Sequence, residues 1–115
     1  MPKGYKNIGD GLYINKGGKI YSERVGRFIA QKPRAVVNYY GTSVAASHII
    51  AMHYCEKPLN ATEVHHKDGN PANNAASNLM WVTKEQHNEI HRRMRQAMQK
   101  YFSNPKHQRD ILENL

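Results

Sequence analysis

The sequence predicts an α+β domain in which antiparallel strands and a short helix precede a unit of strand, loop, strand and helix. Three observations support this prediction. Short segments rich in Val, Ile and Tyr, separated by turn residues, fill the first forty positions. An apolar segment then runs from Val44 to Cys55 between Gly41 and Pro58. Finally, a polar loop separates EVHH from LMWV, and a long segment with helical periodicity follows.

The first half of the chain alternates between strand-forming segments and turns. The turn residues Lys16 to Gly18 separate the first two predicted strands, and Gly41, Thr42 and Ser43 mark the entry to the predicted helix at about 44–55. The predicted strands are Leu12 to Asn15, Ile20 to Ser22, Arg27 to Ala30 and Arg34 to Tyr40. The half-buried face of the helix would hold His48 and His53, which we interpret as packing residues.

The second half predicts a hairpin and a helix. Residues 67–74, KDGNPANN, are mostly turn formers, so the chain reverses direction there. Leu79 to Val82 is a short apolar segment suited to the returning strand. Thr83 is a good helix cap, and Gln86 stands three residues later, as a capping box requires.

Composition and charge narrow the class of protein. A chain of 115 residues with 39% hydrophobic residues predicts one domain, 1–115, with a modest core. Cys55 has no second cysteine to pair with, and no apolar stretch approaches the length of a membrane span, so we expect a cytoplasmic protein without a membrane partner. Residues 1–60 and 92–115 are basic, with nets of +6 and +4, whereas residues 61–91 carry −2. Basic flanks around an acidic centre favour a nucleic-acid partner.

Four of the seven histidines fall between residues 65 and 91, and their spacing predicts a metal site. His87 and His91 are four residues apart on a predicted helix, so both can bind one ion. Neighbours on a strand point to opposite sides, so only one of His65 and His66 easily joins them. The other imidazole is then placed to accept a proton. Three protein ligands with an open position are typical of a catalytic metal site.

The segment HHKDGNPANNAASNLMWVT, with its helical histidines, resembles the HNH endonucleases of the ββα-metal class, in particular their phage and intron homing branch. The resemblance covers roughly residues 61–100, with 1–60 as a basic lead-in and 101–115 as a tail. It implies that His65 is a metal ligand, that His66 is the general base, and that Asn78 braces the hairpin and orients the base. The helical ligands would be His87 and His91.

The function that the resemblance implies is metal-dependent hydrolysis of DNA. One divalent ion per site is expected, and Zn, Ni, Mn and Mg all remain candidates. We expect Lys67, Arg92, Arg93 and Arg95 to contact DNA phosphates, and the protein to act as a monomer or a homodimer. The alternatives are a zinc-stabilised module that binds DNA without cutting it, and a metal-free remnant whose histidines only pack.

Overall fold

The computed structural model describes the backbone of residues 3–103 and the side chains of residues 3–100. Six short strands lead into the first helix: β1 Lys6–Gly9, β2 Leu12–Ile14, β3 Ile20–Ser22, β4 Arg27–Ile29, β5 Val36–Tyr39, β6 Thr42–Ala45 and α1 Ala46–Tyr54. A hairpin and a long helix follow: β7 Glu63–His66, a single 3-10 turn at Ala76–Asn78, β8 Leu79–Val82 and α2 Lys84–Ser103. The predicted α+β class is confirmed.

The strands form three antiparallel sheets. One is a four-stranded sheet in the order β1-β2-β3-β4, and the other two are the hairpins β5-β6 and β7-β8. The strands predicted at Leu12, Ile20, Arg27 and Leu79 are present with small differences at their ends. The tail predicted at 101–115 lies outside the described residues from position 104 onward.

Strand β1 was not predicted from the sequence. It pairs with β2 across a tight turn in which Asp10 and Gly11 have φ of 54° and 74°. Asp-Gly is a strong signal for a two-residue hairpin turn, because both positions need positive φ. The strand is short and irregular, with a bulge between Asn7 and Gly9, which hides the alternation that normally identifies a strand.

The prediction that Gly41, Thr42 and Ser43 lead directly into a helix was wrong. Thr42–Ala45 is strand β6, paired with β5 across a turn in which Tyr40 and Gly41 have φ of 50° and 81°. The helix therefore begins at Ala46 rather than Val44. Val44, which is β-branched, pairs with Val37 in the hairpin, and this cross-strand contact outweighs its apolar spacing with the helix.

The core lies between α1, the four-stranded sheet and the β7-β8 hairpin. Its most deeply buried large side chains are Ile14, Ile20, Ile49, Ile50 and Val82. The indole Nε1 of Trp81 donates a hydrogen bond of 3.2 Å to the carbonyl oxygen of Ala51, which ties β8 to α1. The Cys55 thiol contacts the carbonyl oxygens of Ala76 and Leu79 at 3.5 and 3.6 Å. Helix α1 thus supports the hairpin that carries the candidate site.

The chain divides into two compact units between Thr83 and Lys84. The first contains the sheets, α1 and the β7-β8 hairpin. The second contains α2, which begins directly after Thr83, as the capping pattern predicted. Among the described residues, no helix combines the length and apolarity needed to cross a bilayer.

Candidate active site

Strand β7 gives its two adjacent histidines different surroundings. His65 pairs with Met80 and is buried, with 9% of its surface exposed. His66 pairs with Leu79 at the end of the strand and is half-buried. Because side chains alternate along a strand, the two imidazoles lie on opposite faces of the hairpin. The placement on opposite faces is the one that the sequence predicted for two neighbours on a strand.

The loop between β7 and β8, residues 67–78, is organised around Asp68. One of its carboxylate oxygens accepts hydrogen bonds from the Asn70 backbone N–H at 2.8 Å and from Asn78 Nδ2 at 2.9 Å. The other accepts from Asn73 Nδ2 at 2.9 Å. The Asn73 bond, followed by those from Asn70 and Asn78, lowers the pKa of Asp68 below its usual value. Asp68 is therefore the central acceptor of the loop.

Asn78 joins the two sides of this loop. Its Nδ2 also donates to the Asn73 carbonyl oxygen at 2.9 Å, and its Oδ1 accepts from the Asp68 backbone N–H at 3.0 Å. At the base of the loop, the Lys67 N–H donates to the Asn78 carbonyl oxygen at 2.8 Å. Asn78 therefore links the two ends of the loop through its side chain and its backbone.

The side chain that contacts the His66 ring is not Asn78 but Asn74. His66 Nε2 and Asn74 Oδ1 are 2.9 Å apart, and Asn74 is buried, with 8% of its surface exposed. The family resemblance implied both bracing and orienting for Asn78, whereas the structure places these contacts on two asparagines. The sequence identifies Asn74 only as a turn former, because its burial depends on packing outside the loop. The burial of an asparagine inside a polar loop is a tertiary property that turn composition does not reveal.

The helical histidines approach one another closely. On α2, the Nε2 atoms of His87 and His91 are 3.1 Å apart. Two imidazoles bound to one tetrahedral zinc ion, at Zn–N distances near 2.0–2.1 Å, would have nitrogens about 3.3 Å apart. The donor chemistry and spacing of this pair therefore fit a divalent ion. Within the part of the chain that the structure describes, no three His, Cys, Asp or Glu side chains are grouped closely enough to bind one.

Two of the basic residues expected to contact DNA share a carboxylate on α2. Arg92 donates from Nε and from an Nη to Glu89 at 2.9 and 2.7 Å, and Arg93 Nε donates to the same carboxylate at 3.1 Å. These bonds lower the pKa of Glu89, so the carboxylate remains charged. Arg95 is exposed on the same helix. Lys67 is exposed on the β7-β8 loop. Its side chain donates a hydrogen bond of 3.2 Å to the Ser77 carbonyl oxygen on the other side of that loop.

The histidines of α1 have a packing environment, as expected. His48 stacks on Trp81 with ring centroids 5.5 Å apart and an interplanar angle of 14°. Burial lowers the pKa of His48, with an opposing effect from the nearby Glu63 carboxylate. Burial also lowers the pKa of His53, assisted by Lys6. Both residues are half-buried, which fits the packing role expected from the sequence.

A hairpin with two histidines, a loop braced by asparagine and a following helix with two histidines are the features expected of an HNH endonuclease. Comparison with known proteins points to the same class. Residues 45–89 match the family model described as HNH endonuclease. Over 89 residues the chain is 32% identical to the DNA endonuclease I-HmuI of Bacillus phage SP01, covering 72% of this chain. It is also 33% identical over 86 residues to the uncharacterized HNH endonuclease L245 of Acanthamoeba polyphaga mimivirus, covering 68% of this chain.

A solved structure that describes DNA binding and cleavage by the HNH homing endonuclease I-HmuI aligns with this chain. The TM-score is 0.61 and the sequence identity is 25%. The alignment covers 86% of this chain and 67% of that one. The chain is therefore similar to HNH endonucleases of the phage homing type, and this similarity agrees with the resemblance seen in its sequence. It spans 51% of the length of the phage relative and 26% of the mimivirus relative, so each relative has large parts without a counterpart here.

The Asp68 network predicts an acid-sensitive loop. Because hydrogen bonds lower the pKa of Asp68 in the folded state, the unfolded chain binds the proton more readily. The contribution of Asp68 to the stability of the fold is therefore complete above its usual pKa of 3.8. This contribution is lost as the pH falls through the lower pKa of the folded state. We expect Asp68→Asn to lower the melting temperature at pH 7 and to flatten its decrease below about pH 4.

Thermal unfolding followed by circular dichroism between about pH 3 and 7 checks this prediction. The control is Glu56→Gln, which removes an exposed carboxylate outside the loop. If the melting curves of Asp68→Asn and the parent protein remain parallel through the acid range, Asp68 does not hold the loop by its charge.

Proposed function

We propose that this chain is a metal-dependent DNA endonuclease that hydrolyses phosphodiester bonds. The observation that carries the proposal is the position of His66 at the end of β7, hydrogen-bonded to Asn74 beside a loop braced by Asp68 and Asn78. A histidine held in this way, in a chain with HNH similarity, is suited to act as a base. The named activity of the phage relative, a DNA endonuclease, supports DNA as the substrate.

His66 accepts the proton of the attacking water. Histidine is the side chain most often used as a general base in enzymes. The half-buried position leaves the ring accessible while its Asn74 contact restricts rotation. Asn78 acts through the loop, because it holds the segment that carries both Asp68 and Asn74. By resemblance to the family, the products carry a 5′ phosphate and a 3′ hydroxyl.

His65, His87 and His91 are the proposed metal ligands. The fit of the helical pair to an ion supports two of them, and the third rests on the family resemblance. When bound, a divalent ion at such a site supplies charge that stabilises the phosphate as negative charge develops. Three imidazoles favour Zn and Ni over Mn, and Mn over Mg, in affinity. Imidazole binds a metal in its neutral form, so metal affinity should fall as the pH drops.

Lys67, Arg92, Arg93 and Arg95 are the proposed phosphate contacts. Arg92 and Arg93 reach DNA with part of their charge offset by Glu89, whereas Arg95 is exposed on the helix that they share. One catalytic unit per chain implies a nick by a monomer, and a double-strand cut by a homodimer or by two events. The expected place of action is the cytoplasm, that of the host if a phage encodes the chain.

The proposal is tested by incubating the metal-stripped protein with supercoiled plasmid and Mg, Mn, Ni or Zn. Conversion to nicked or linear plasmid that requires an ion and stops with chelator is the expected result. Tight zinc and DNA binding without any cut would support the alternative, a zinc-stabilised DNA-binding module. If the protein neither binds metal nor cuts DNA, the remaining alternative is a metal-free remnant in which the histidines are only packing residues.

Substitution of His66 and His87 separates the base from a ligand. We expect His66→Ala to reduce cleavage by roughly two to four orders of magnitude while metal affinity and fold persist, because general-base catalysis contributes about that much. His87→Ala should weaken metal binding as well as cleavage. Calorimetric metal titration beside single-turnover cleavage measures both, with the exposed Gln96→Ala on the same helix as control. Loss of bound metal in His66→Ala would instead identify His66 as a ligand.

The arginines of α2 predict opposite effects for two charge changes. Replacing Arg92, Arg93 and Arg95 with Gln should weaken binding to all DNA sequences. The slope of the logarithm of the binding constant against the logarithm of the salt concentration should become shallower by about 0.9 for each phosphate that is no longer neutralised. Glu89→Gln should strengthen binding and steepen the slope, since it releases two guanidinium groups from one carboxylate. Fluorescence anisotropy with duplex DNA at several salt concentrations measures this. If the salt dependence of binding is unchanged in both variants, the DNA-binding surface does not include these arginines. It would then be assigned to the basic N-terminal region.

A further inference from the structure

The structure points to a positioning device outside the predicted set of site residues. We propose that Asn74 positions the His66 ring with Nδ1 as the proton-accepting nitrogen, and that the turn between β2 and β3 holds Asn74 in place. This inference rests on the proposed function for its catalytic meaning, but its structural content concerns only the compact unit that ends at Thr83.

The two ring nitrogens of His66 have different roles. A neutral imidazole carries a proton on one nitrogen and a lone pair on the other. The 2.9 Å contact joins Nε2 to the amide oxygen Oδ1 of Asn74, which accepts hydrogen bonds and cannot donate. Nε2 therefore carries the proton and donates a hydrogen bond to Asn74 Oδ1. The lone pair is left on Nδ1, which is the nitrogen that can take a proton from water.

Asn74 is held in place through the backbone that follows it. The Ala76 N–H, two residues further along, donates to the Lys16 carbonyl oxygen at 2.7 Å. Lys16 belongs to the β2-β3 turn, whose own hydrogen bonds run from the Gly18 N–H to the Asn15 carbonyl oxygen at 3.1 Å and from the Lys19 N–H to Asn15 Oδ1 at 2.9 Å. The turn is therefore closed by its own hydrogen bonds as well as bonded to the loop, and it forms a firm support.

The β2-β3 turn also lies very close to Asn74. A Cβ at Gly18 would lie 2.5 Å from the backbone carbon and oxygen of Asn74 and 2.9 Å from the Ala75 nitrogen. Those atoms are backbone, so any side chain at position 18 must displace the loop itself. Gly18 also has φ of +89°, a conformation that favours glycine. The four-stranded sheet thus fixes the position of Asn74 through direct backbone contact.

Asn74 variants test the hydrogen bond. In metal-free protein at about pH 8, a partly buried Nε2–H that is hydrogen-bonded should exchange slowly enough to give a directly bonded 1H–15N correlation. We expect this signal for His66, identified by its loss in His66→Gln. Asn74→Leu removes the acceptor at similar size and should abolish the signal, whereas Asn74→Asp retains an acceptor oxygen and should keep it.

Cleavage kinetics report the consequence for catalysis. Asn74→Leu should lower kcat by about 10- to 100-fold, as is typical when the partner that orients a histidine is removed. Its KM for DNA should remain within about twofold, because Asn74 makes no substrate contact in the proposed role. Asn74→Asp should retain more activity than Asn74→Leu. A signal on Nδ1, or an unchanged Nε2–H signal and kcat in Asn74→Leu, would overturn the proposal.

Two glycine variants test the support. Gly18→Ala places a methyl group against the Asn74 backbone, whereas Gly26→Ala, in the β3-β4 turn of the same sheet, has a similar φ of +76° but nothing within 4 Å of its new Cβ. Both variants carry the penalty of positive φ, so their difference isolates the contact. We expect Gly18→Ala to weaken the Nε2–H signal and kcat while Gly26→Ala preserves both. Equal behaviour of the two folded variants would reject the role of the turn.

These experiments distinguish failure of the positioning from failure of the proposed function. Circular dichroism checks the fold of each variant, and if Gly18→Ala does not fold, the Asn74 variants still decide whether the ring depends on Asn74. The NMR signal needs neither metal nor DNA. A signal that is lost in Asn74→Leu, in a protein that never cuts DNA, would support the positioning and reject the nuclease. Normal cutting of DNA by Asn74→Leu would support the nuclease function and reject the positioning role of Asn74.

Discussion

The hydrogen bonds between the Asp68 carboxylate and the asparagines around it are the constraint on which the candidate site depends. A loop of this length leaves many backbone and side-chain polar groups without strand partners, and such groups must find others. Asp68 supplies the acceptors, and Asn78 supplies donors on one side and an acceptor on the other. The loop can therefore keep one shape although half of its residues are exposed. His66, at the start of this loop, receives a fixed environment from it.

The scaffold around the loop explains why such a small protein can hold a polar site. Helix α1 buries Ile49 and Ile50 completely and accepts the Trp81 indole hydrogen bond, which fixes β8 against the core. Since β7 and β8 are paired in register, this also sets which face of β7 is buried. His65 and His66 then lie on opposite faces because of strand geometry. From the other side, the β2-β3 turn packs on the loop backbone through Gly18. Core packing and backbone contact therefore act on the same loop.

Local sequence pattern was enough to predict the hairpin, its loop and helix α2. The turn residues of the loop, the apolar LMWV segment and the i, i+4 spacing of His87 and His91 are each local features of the sequence. The hairpin and α2 are where these features predicted them. Strands β1 and β6 were missed because a bulge and two-residue turns interrupt the pattern. Asn74 was missed for a different reason: its burial and its contact with His66 arise from distant residues of another sheet. The metal ligands remain a proposal that rests on residue chemistry, on the spacing of His87 and His91, and on the family resemblance.

His66 is the general base in the proposed mechanism, and chemical rescue tests that claim most directly. In His66→Gly, with metal and DNA bound, added imidazole should restore part of the single-turnover cleavage rate by taking the proton that the side chain would have taken. If proton transfer is the missing step, the restored rate should rise with the basicity of a series of substituted imidazoles of similar size. No such rise should occur in the parent protein. A variant that binds metal and DNA but gains nothing from any imidazole, or gains equally from all of them, would contradict the assignment of His66 as the general base.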